Sequence, residues 1–293
     1  MKVELHCHTR ISDGSCTFEE VLELAEQEHV TCLAITNHDT TSGLSEMILR
    51  GTEKGIEVIP GIEISAYDYT RHRRVHILGY MVQPADEGIA ELCQPLIERR
   101  HEGCRRAVNV LAANGYRITW EQVLEYAAGG TGVYKQHIMH ALIDAGYTDS
   151  IYGGLYKTLF SRGSNGEAPG IAYMPMEYAS AQDAVNTILQ AGGVPVLAHP
   201  GQYDSYDIVP ELVSYGLQGI ERLHPLHGPE DEKRVTQLAE EHGLFMSGGS
   251  DFHGFYGEKE VRLGSKSPGM DTVAAIKASK RNLHNSGPDL IIR

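Results

Sequence analysis

Short apolar runs alternate along the chain with longer segments whose apolar positions recur every three or four residues. The short runs are typical of buried strands and the longer segments of amphipathic helices. Strands that alternate with helices favour a parallel α/β fold, and seven of them favour a barrel over an open sheet. The predicted strands cover residues 3–8, 33–38, 57–65, 75–81, 194–200, 219–225 and 244–251.

Helical periodicity fills most of the intervals between these strands. The first helical segment begins with Thr17 and Glu20, which have the spacing of a capping box. The helices predicted between these strands, or after the last of them, cover residues 17–28, 43–54, 180–191, 229–242 and 272–280.

The interval between the fourth and fifth strands, residues 82–193, is too long for a single crossover helix. Its pattern predicts helices over 89–111, 120–128 and 136–145, with loops over 129–132 and 161–170. We therefore expect a small helical cap domain at 86–189, inserted into a barrel made of 1–85 and 190–293.

Composition narrows the possible functions. The 39 acidic residues exceed the 25 Lys and Arg residues, and the net charge of −14 argues against binding long nucleic acid. Five cysteines without CxxC spacing fit neither a disulfide framework nor a structural zinc site. The polar N-terminus and the absence of an apolar run of about 18 residues predict a cytoplasmic protein that does not enter membranes.

The 15 histidines are the unusual feature, and several stand with acids where predicted strands end. His6 and His8 lie two residues apart on a strand, so both project from one face. His38, His199 and Asp251 occupy the C-terminal ends of other strands, where barrel enzymes build their active sites.

Nine side chains therefore form the candidate metal site. Alone, Asp13 would be read as a turn residue, His76 as a core histidine and Glu63 as half of an ion pair. Together, this nitrogen and oxygen set suits Zn, Mn or Fe, and it is large enough to hold three divalent ions that share ligands. The set is His6, His8, Asp13, His38, Glu63, His76, His199, Asp251 and His253.

Six short motifs carry a resemblance to the polymerase and histidinol phosphatase (PHP) family. They read LHCH, TNHD, GIEIS, VHILG, AHPG and GSDFH, and the resemblance covers most of residues 3–81 and 194–254. It implies a distorted seven-stranded (β/α)7 barrel with a trinuclear metal site. The long insertion is similar to the branch with a helical cap, which includes nucleoside 3',5'-bisphosphate phosphatases and cyclic phosphate hydrolases.

The resemblance also implies how the ligands are divided among three metals. One ion would be held by His6, His8, Glu63 and Asp251, a second by Asp13, His38 and His253, and a third by His76, His199 and a shared Glu63.

Two positions depart from the family pattern. Asn37 stands where many members have Asp before the metal-binding histidine, which affects the surroundings of the site more than its ligands. Lys135 stands two residues before His137, where relatives present an Arg, so the charge is kept but the bidentate fork is lost.

The predicted reaction is hydrolysis of a small anionic phosphorylated substrate, a nucleotide or sugar phosphate, by a metal-activated hydroxide. Cationic side chains from the cap would bind the phosphates, although Arg99 and Arg100 also fit a solvated helix face. The catalytic candidates are Asp13, His38, Glu63, Asp251 and His227, and the substrate-binding candidates are Arg99, Arg100, Lys135, His137 and His227. Glu221 is a candidate for the layer behind the ligands.

Several alternatives stay open at this stage. A barrel with histidines at its strand ends also suits amide hydrolysis at one or two metals, and a metal-stabilised regulatory module needs no catalysis. Within phosphoesterases, the sequence separates neither a phosphomonoester from a cyclic phosphodiester nor one oligomeric state from another.

Overall fold

The structure, a computed structural model, describes residues 1–163 and 166–285. Its strands are β1 (Lys2–Glu4), β2 (Val30–Ile35), β3 (Glu57–Asp68), β4 (Arg73–Tyr80), β5 (Ala179–Ser180), β6 (Val194–Leu197), β7 (Gly219–Leu223) and β8 (Phe245–Gly248). All seven predicted strands are present, and β5 is an addition.

Eleven α-helices are described, and they include every predicted one. They are α1 (Phe18–Gln27), α2 (Leu44–Glu53), α3 (Glu87–Ala113), α4 (Trp120–Tyr126), α5 (Lys135–Asp144), α6 (Gly154–Phe160), α7 (Ala181–Gln190), α8 (Pro200–Tyr203), α9 (Val209–Ser214), α10 (Pro229–His242) and α11 (Met270–Asn285). The short helices α6, α8 and α9 were not predicted. Of the predicted loop at 161–170, residues 164 and 165 lie outside the described residues.

The capping box predicted for the first helix is present. The Thr17 hydroxyl accepts from the Glu20 backbone N–H at 3.3 Å, and the Glu20 carboxylate accepts from the Thr17 N–H at 2.7 Å. These bonds satisfy backbone donors that a helix start otherwise leaves unpaired.

The seven strands other than β5 form one sheet in the order β1-β2-β3-β4-β6-β7-β8, and β5 pairs with β3. Most pairs are parallel, as expected for a parallel α/β fold, but β4 runs antiparallel to both β3 and β6, which the sequence analysis did not predict. The cause is the tight turn between Asp68 and Arg73, in which Asp68 accepts from the N–H groups of Thr70 and Arg71. A turn this short joins antiparallel strands only.

The two ends of the strand order approach each other just beyond β1 and β8. Cys7 and Phe252 form an isolated parallel bridge, and the His8 N–H donates to the Phe252 carbonyl at 2.9 Å. This contact brings the residues that follow β1 next to those that follow β8.

Helices α3 to α6 lie in the long interval between β4 and β6, and most of their apolar side chains form a second core. Val108, Leu142 and Phe160 lie in that core. The start of α3 instead packs into the core of the sheet through Ile89 and Cys93.

Helix α7, which falls inside the predicted insertion, also packs into the core of the sheet, through Val185 and Ile188. Within residues 1–163 and 166–285, no helix combines the length and apolarity needed to cross a bilayer.

Candidate metal centre

Glu63, in the middle of β3, is the central residue of the site. Its carboxylate is 1% exposed. The Oε2 atom lies 3.1 Å from Nε2 of both His6 and His8 and 3.4 Å from Nδ1 of His38. A bridge between His38 and Glu63 aligns the end of β2 with this point of β3.

The other carboxylate oxygen of Glu63 faces a second pair of histidines. Oε1 lies 2.8 Å from Nδ1 of His76 and 2.8 Å from Nε2 of His199. Burial would raise the pKa of Glu63, but nearby imidazoles, that of His38 foremost, hold it well below its usual range. Glu63 is therefore ionised, with one oxygen facing three imidazoles and the other facing two.

Asp251 closes the site from the segment after β8. Its Oδ1 atom lies 3.3 Å from Nε2 of both His6 and His8, and its Oδ2 atom lies 3.3 Å from Nε2 of His224. The residue has a φ of +49°, a conformation that L-residues rarely adopt. His199, with a φ of +21°, is strained in the same direction, as functional sites often are.

Asp13 closes the opposite side, from the loop after His8. Its Oδ1 atom lies 3.3 Å from Nε2 of His253 and 3.5 Å from Nδ1 of His8. Its Oδ2 atom lies 3.8 Å from Nε2 of His38 and accepts from the Gln136 amide at 3.1 Å. Burial would lower the pKa of His253, but its two acidic neighbours raise it to about 9.

All nine predicted ligands are thus brought together. Donor atoms of eight of them, all but His199, form three overlapping sets, each within 4.8 Å. The sets are His8, Asp13, His38 and His253; then His6, His8, Glu63 and Asp251; then His38, Glu63 and His76. The second set equals a grouping that the family resemblance implied, whereas the third holds His38 in place of His199. Because His8, His38 and Glu63 each belong to two sets, the geometry suits ions that share ligands.

Several buried atoms at the centre of the cluster make no hydrogen bond of suitable geometry with the described residues, although oppositely charged or polar atoms lie near some of them. They include both ring nitrogens of His8, Nδ1 of His38, Nδ1 of His199 and Oδ1 of Asp251. Buried polar atoms are almost always satisfied, so unpaired donor atoms that face one another indicate cation ligands. The imidazole and carboxylate chemistry of this set fits divalent transition metals.

Acidic side chains behind the cluster orient its histidines. Glu221 is fully buried; its Oε1 lies 3.0 Å from Nδ1 of His6, and its Oε2 accepts from the His199 N–H at 2.8 Å. A Nδ1–H bond to Glu221 fixes the tautomer of His6 that leaves Nε2 free for a metal.

Asn37 shapes the loop that carries Asp13. Its Oδ1 accepts from the Thr9 N–H at 2.8 Å, the Thr9 hydroxyl at 3.1 Å and the Ser12 hydroxyl at 3.0 Å. The amide supplies these bonds without adding a further negative charge beside Asp13.

A cavity of about 210 Å³ lies over the cluster, between the sheet and the inserted helices. Among the predicted substrate-binding residues, Arg99, Arg100 and Lys135 line it. Arg100 pairs with Asp39 at 2.5 Å and stacks on the Tyr134 ring at 4.7 Å. Arg99 lies at the rim and donates to a backbone carbonyl at 3.3 Å.

The other two predicted substrate-binding residues are committed elsewhere. His137 is fully buried, and its Nδ1 accepts from the Tyr134 N–H at 3.0 Å at the start of α5. His227 donates from Nδ1 to the Arg222 carbonyl at 2.8 Å and accepts at Nε2 from the Gly201 N–H at 3.1 Å. Neither lines the cavity.

Many cavity residues were not among the sequence candidates, and three of these are polar residues beside predicted ones. Arg74 lies two residues before His76, and Tyr203 lies four residues after His199, so both had a signal in their spacing from a ligand. Gln136 is the neighbour of two predicted residues, and it reaches Asp13 directly.

Comparison with known proteins supports the same interpretation, a metal-dependent enzyme. The sequence matches the PHP domain family over residues 4–193. A phosphoribosyl 1,2-cyclic phosphate 1,2-diphosphodiesterase from Eggerthella lenta is 46% identical, with 87% of this chain and 95% of the relative aligned. A 3',5'-nucleoside bisphosphate phosphatase from Chromobacterium violaceum is 33% identical, with 86% and 87% aligned.

A more distant relative and a solved structure also resemble this chain. A 5'-3' exoribonuclease from Salmonella typhimurium is 30% identical, with 85% of this chain and 84% of the relative aligned. A solved Bifidobacterium adolescentis structure, assigned as a metal-dependent phosphoesterase, has a TM-score of 0.84 at 29% identity and covers 94% of this chain and 95% of its own. The chain therefore belongs to the PHP family and is a metal-dependent phosphoesterase.

Proposed function

We propose that this enzyme hydrolyses a small phosphorylated metabolite at a centre of three divalent ions, with Mn, Fe and Zn as the candidate metals. The observation that carries the proposal is the position of Glu63, whose two oxygens face separate groups of histidines. The first ion would be held by His6, His8, Glu63 and Asp251, the second by Asp13, His38 and His253, and the third by His76, His199 and Glu63.

When bound, such ions lower the pKa of coordinated water towards about 7 and neutralise phosphate oxygens. The side chains of the protein orient the metal ligands and contact the phosphate. Glu221 keeps His6 in its metal-binding tautomer, and His224 fixes Asp251. Arg100, held in place by Asp39 and Ser65, presents a guanidinium to the reacting phosphate.

We place the substrate among ribose derivatives that carry two phosphate groups. The Eggerthella and Chromobacterium relatives are both named for such compounds, and the cavity offers cations beyond the metal cluster, among them Lys135. The higher identity to the former relative makes a cyclic phosphate of phosphorylated ribose the first candidate.

The same reasoning extends to the architecture. We propose that the seven strands close into a distorted barrel at the Cys7 and Phe252 bridge. We also propose that α3 to α6 form the cap, within the interval 86–189, because most of their apolar side chains form a separate core.

A substrate panel tests the function. Enzyme reconstituted with Mn, Fe or Zn would be given phosphoribosyl 1,2-cyclic phosphate, adenosine 3',5'-bisphosphate, a 5'-phosphorylated RNA 10-mer and an amide substrate. We expect turnover of at least one of the first two, and faster turnover than of the RNA. Hydrolysis of the amide alone, or of nothing with any metal, would overturn the proposal.

Lys135 should make recognition of the second phosphate dependent on pH. Burial, reinforced by the charge of Arg74, lowers the pKa of Lys135 to about 8, while Cys104 and Arg100 are its other ionisable neighbours. The ammonium form is present below this value and is lost as the pH rises. We therefore expect kcat/KM for the bisphosphate to fall as the pH rises through about 8.

Two variants separate this effect from the pH dependence of the metal centre. Lys135→Arg, which stays charged, should keep kcat/KM level up to about pH 10, whereas Lys135→Ala should be impaired at every pH. A singly phosphorylated substrate serves as the control for the cluster itself. If the Lys135→Arg profile falls together with the wild-type profile, Lys135 is not the titrating group.

A further inference from the structure

Arg74 differs from the basic residues beside it because its side chain pairs with no acidic group in the described part of the chain. It belongs to the basic run from Arg71 to Arg74. Arg71 pairs with Asp68 and Glu211, and Arg73 contacts Asp207. Among the described residues, Arg74 forms no ion pair; it lines the cavity and is exposed there. An unpaired guanidinium facing a cavity, in a protein with a charge of −14, indicates an anionic ligand.

The strand places Arg74 next to the metal centre. Arg74 and His76 are two residues apart on β4 and project from the same face. Successive same-face positions on a strand are separated by roughly 7 Å. This spacing is comparable to the separation of two phosphates across one ribose ring, so an anion on Arg74 can belong to a substrate whose other phosphate lies at the metals.

Aromatic rings hold this cation without neutralising it. The Arg74 guanidinium lies 5.2 Å from the centre of the Tyr203 ring. The centre of that ring lies 5.1 Å from the centre of the His76 ring and 5.7 Å from that of the His199 ring, and both pairs are T-shaped. Tyr203 therefore forms a wall between Arg74 and the cluster, and its apolar surface strengthens any charge-assisted bond made there.

A second cation faces the same cavity in the same way. Among the described residues Lys135 has no acidic partner, and its Nζ lies 5.2 Å from the Phe160 ring and 6.0 Å from the Tyr173 ring. Arg74 and Lys135 line the same cavity, and the charge of Arg74 lowers the pKa of Lys135 through like-charge repulsion, second only to burial. Such a pair is costly unless an anion lies between them.

Arg100 differs from these two cations because its charge is already balanced. Its Nη2 lies 2.5 Å from Asp39 and 3.1 Å from the Ser65 hydroxyl. Among the described residues, the cavity cations that no acid balances are therefore Arg74, Lys135 and, at the rim, Arg99.

We propose that Arg74, together with Lys135, binds the phosphate that is not hydrolysed, and that Arg74 determines the preference for doubly phosphorylated substrates. This inference rests on the proposed function. It adds a specificity-determining residue that lies outside the metal-binding motifs.

The test compares Arg74→Gln with wild type on matched substrate pairs. The pairs are adenosine 3',5'-bisphosphate with adenosine 3'-monophosphate, and phosphoribosyl 1,2-cyclic phosphate with ribose 1,2-cyclic phosphate. We expect KM for the doubly phosphorylated member to rise about 30-fold, which corresponds to the loss of a charge-assisted contact. The KM for the singly phosphorylated member and both kcat values should change less than about threefold.

Controls separate this inference from the proposed function. Arg74→Lys should recover part of the loss, and Arg106→Gln, on the exposed face of α3, should match wild type. Calorimetric titration of ribose 5-phosphate, which needs no turnover, should show weakened binding by Arg74→Gln. Equal KM changes for both members of a pair, or unchanged binding of ribose 5-phosphate, would overturn the role of Arg74. Failure of wild-type enzyme on every phosphate ester would instead reject the proposed function.

Discussion

Replacing Glu63 by glutamine is expected to lower kcat for phosphate ester hydrolysis by about four orders of magnitude. The substitution keeps the shape of the side chain but removes the charge that faces five imidazoles from two directions. A neutral amide is a poor bridging ligand, so the ions on both sides of it should bind more weakly. Bound metal, measured by plasma mass spectrometry, should fall together with the rate.

Glu57→Gln is the matched control because it makes the same change on the same strand. Glu57 is partly exposed and pairs at the surface with Lys277, so this variant should retain wild-type activity and metal content. A Glu63→Gln enzyme with full metal content and a rate within tenfold of wild type would show that Glu63 is not a bridging metal ligand.

Asp251→Asn is expected to reduce kcat by about three orders of magnitude and metal affinity by about 10- to 100-fold. Asparagine tolerates the φ of +49° at this position, so the variant removes charge without adding backbone strain. The Asp251 carboxylate lies against His6, His8 and His224, and those contacts depend on its negative charge.

Asp204→Asn provides the comparison, because Asp204 has a φ of +50° but is exposed and contacts Arg234. It should behave as wild type in both rate and metal titration. An Asp251→Asn enzyme that matches Asp204→Asn would show that Asp251 is not a ligand.

The strands were predictable because buried runs are short, apolar and well separated. The antiparallel direction of β4 could have been predicted from the sequence, because only residues 66–74 separate its predicted start from the previous strand. That interval is too short for a crossover helix. The helices α6, α8 and α9 have 7, 4 and 6 residues, so their periodicity is too brief to register.

The clustering of the candidate ligands was predictable for a different reason. The C-terminal ends of parallel strands lie at the same edge of a sheet or barrel. The placing of His38 and His199 in one site could therefore be predicted without knowing the structure of the loops. The surroundings were not predictable in this way. The pairing of Arg100 with Asp39 joins residues 61 apart in sequence, and the backbone bonds that occupy His227 depend on how two loops pack. Local sequence contains neither contact.

The central claim is that these nine side chains bind several metal ions at once, and metal stoichiometry tests it most directly. Wild-type protein would be freed of metal, equilibrated with excess Mn, passed through a desalting column and analysed by plasma mass spectrometry. The proposed centre predicts about three ions per chain. One ion per chain or fewer, in protein that remains folded, would contradict it.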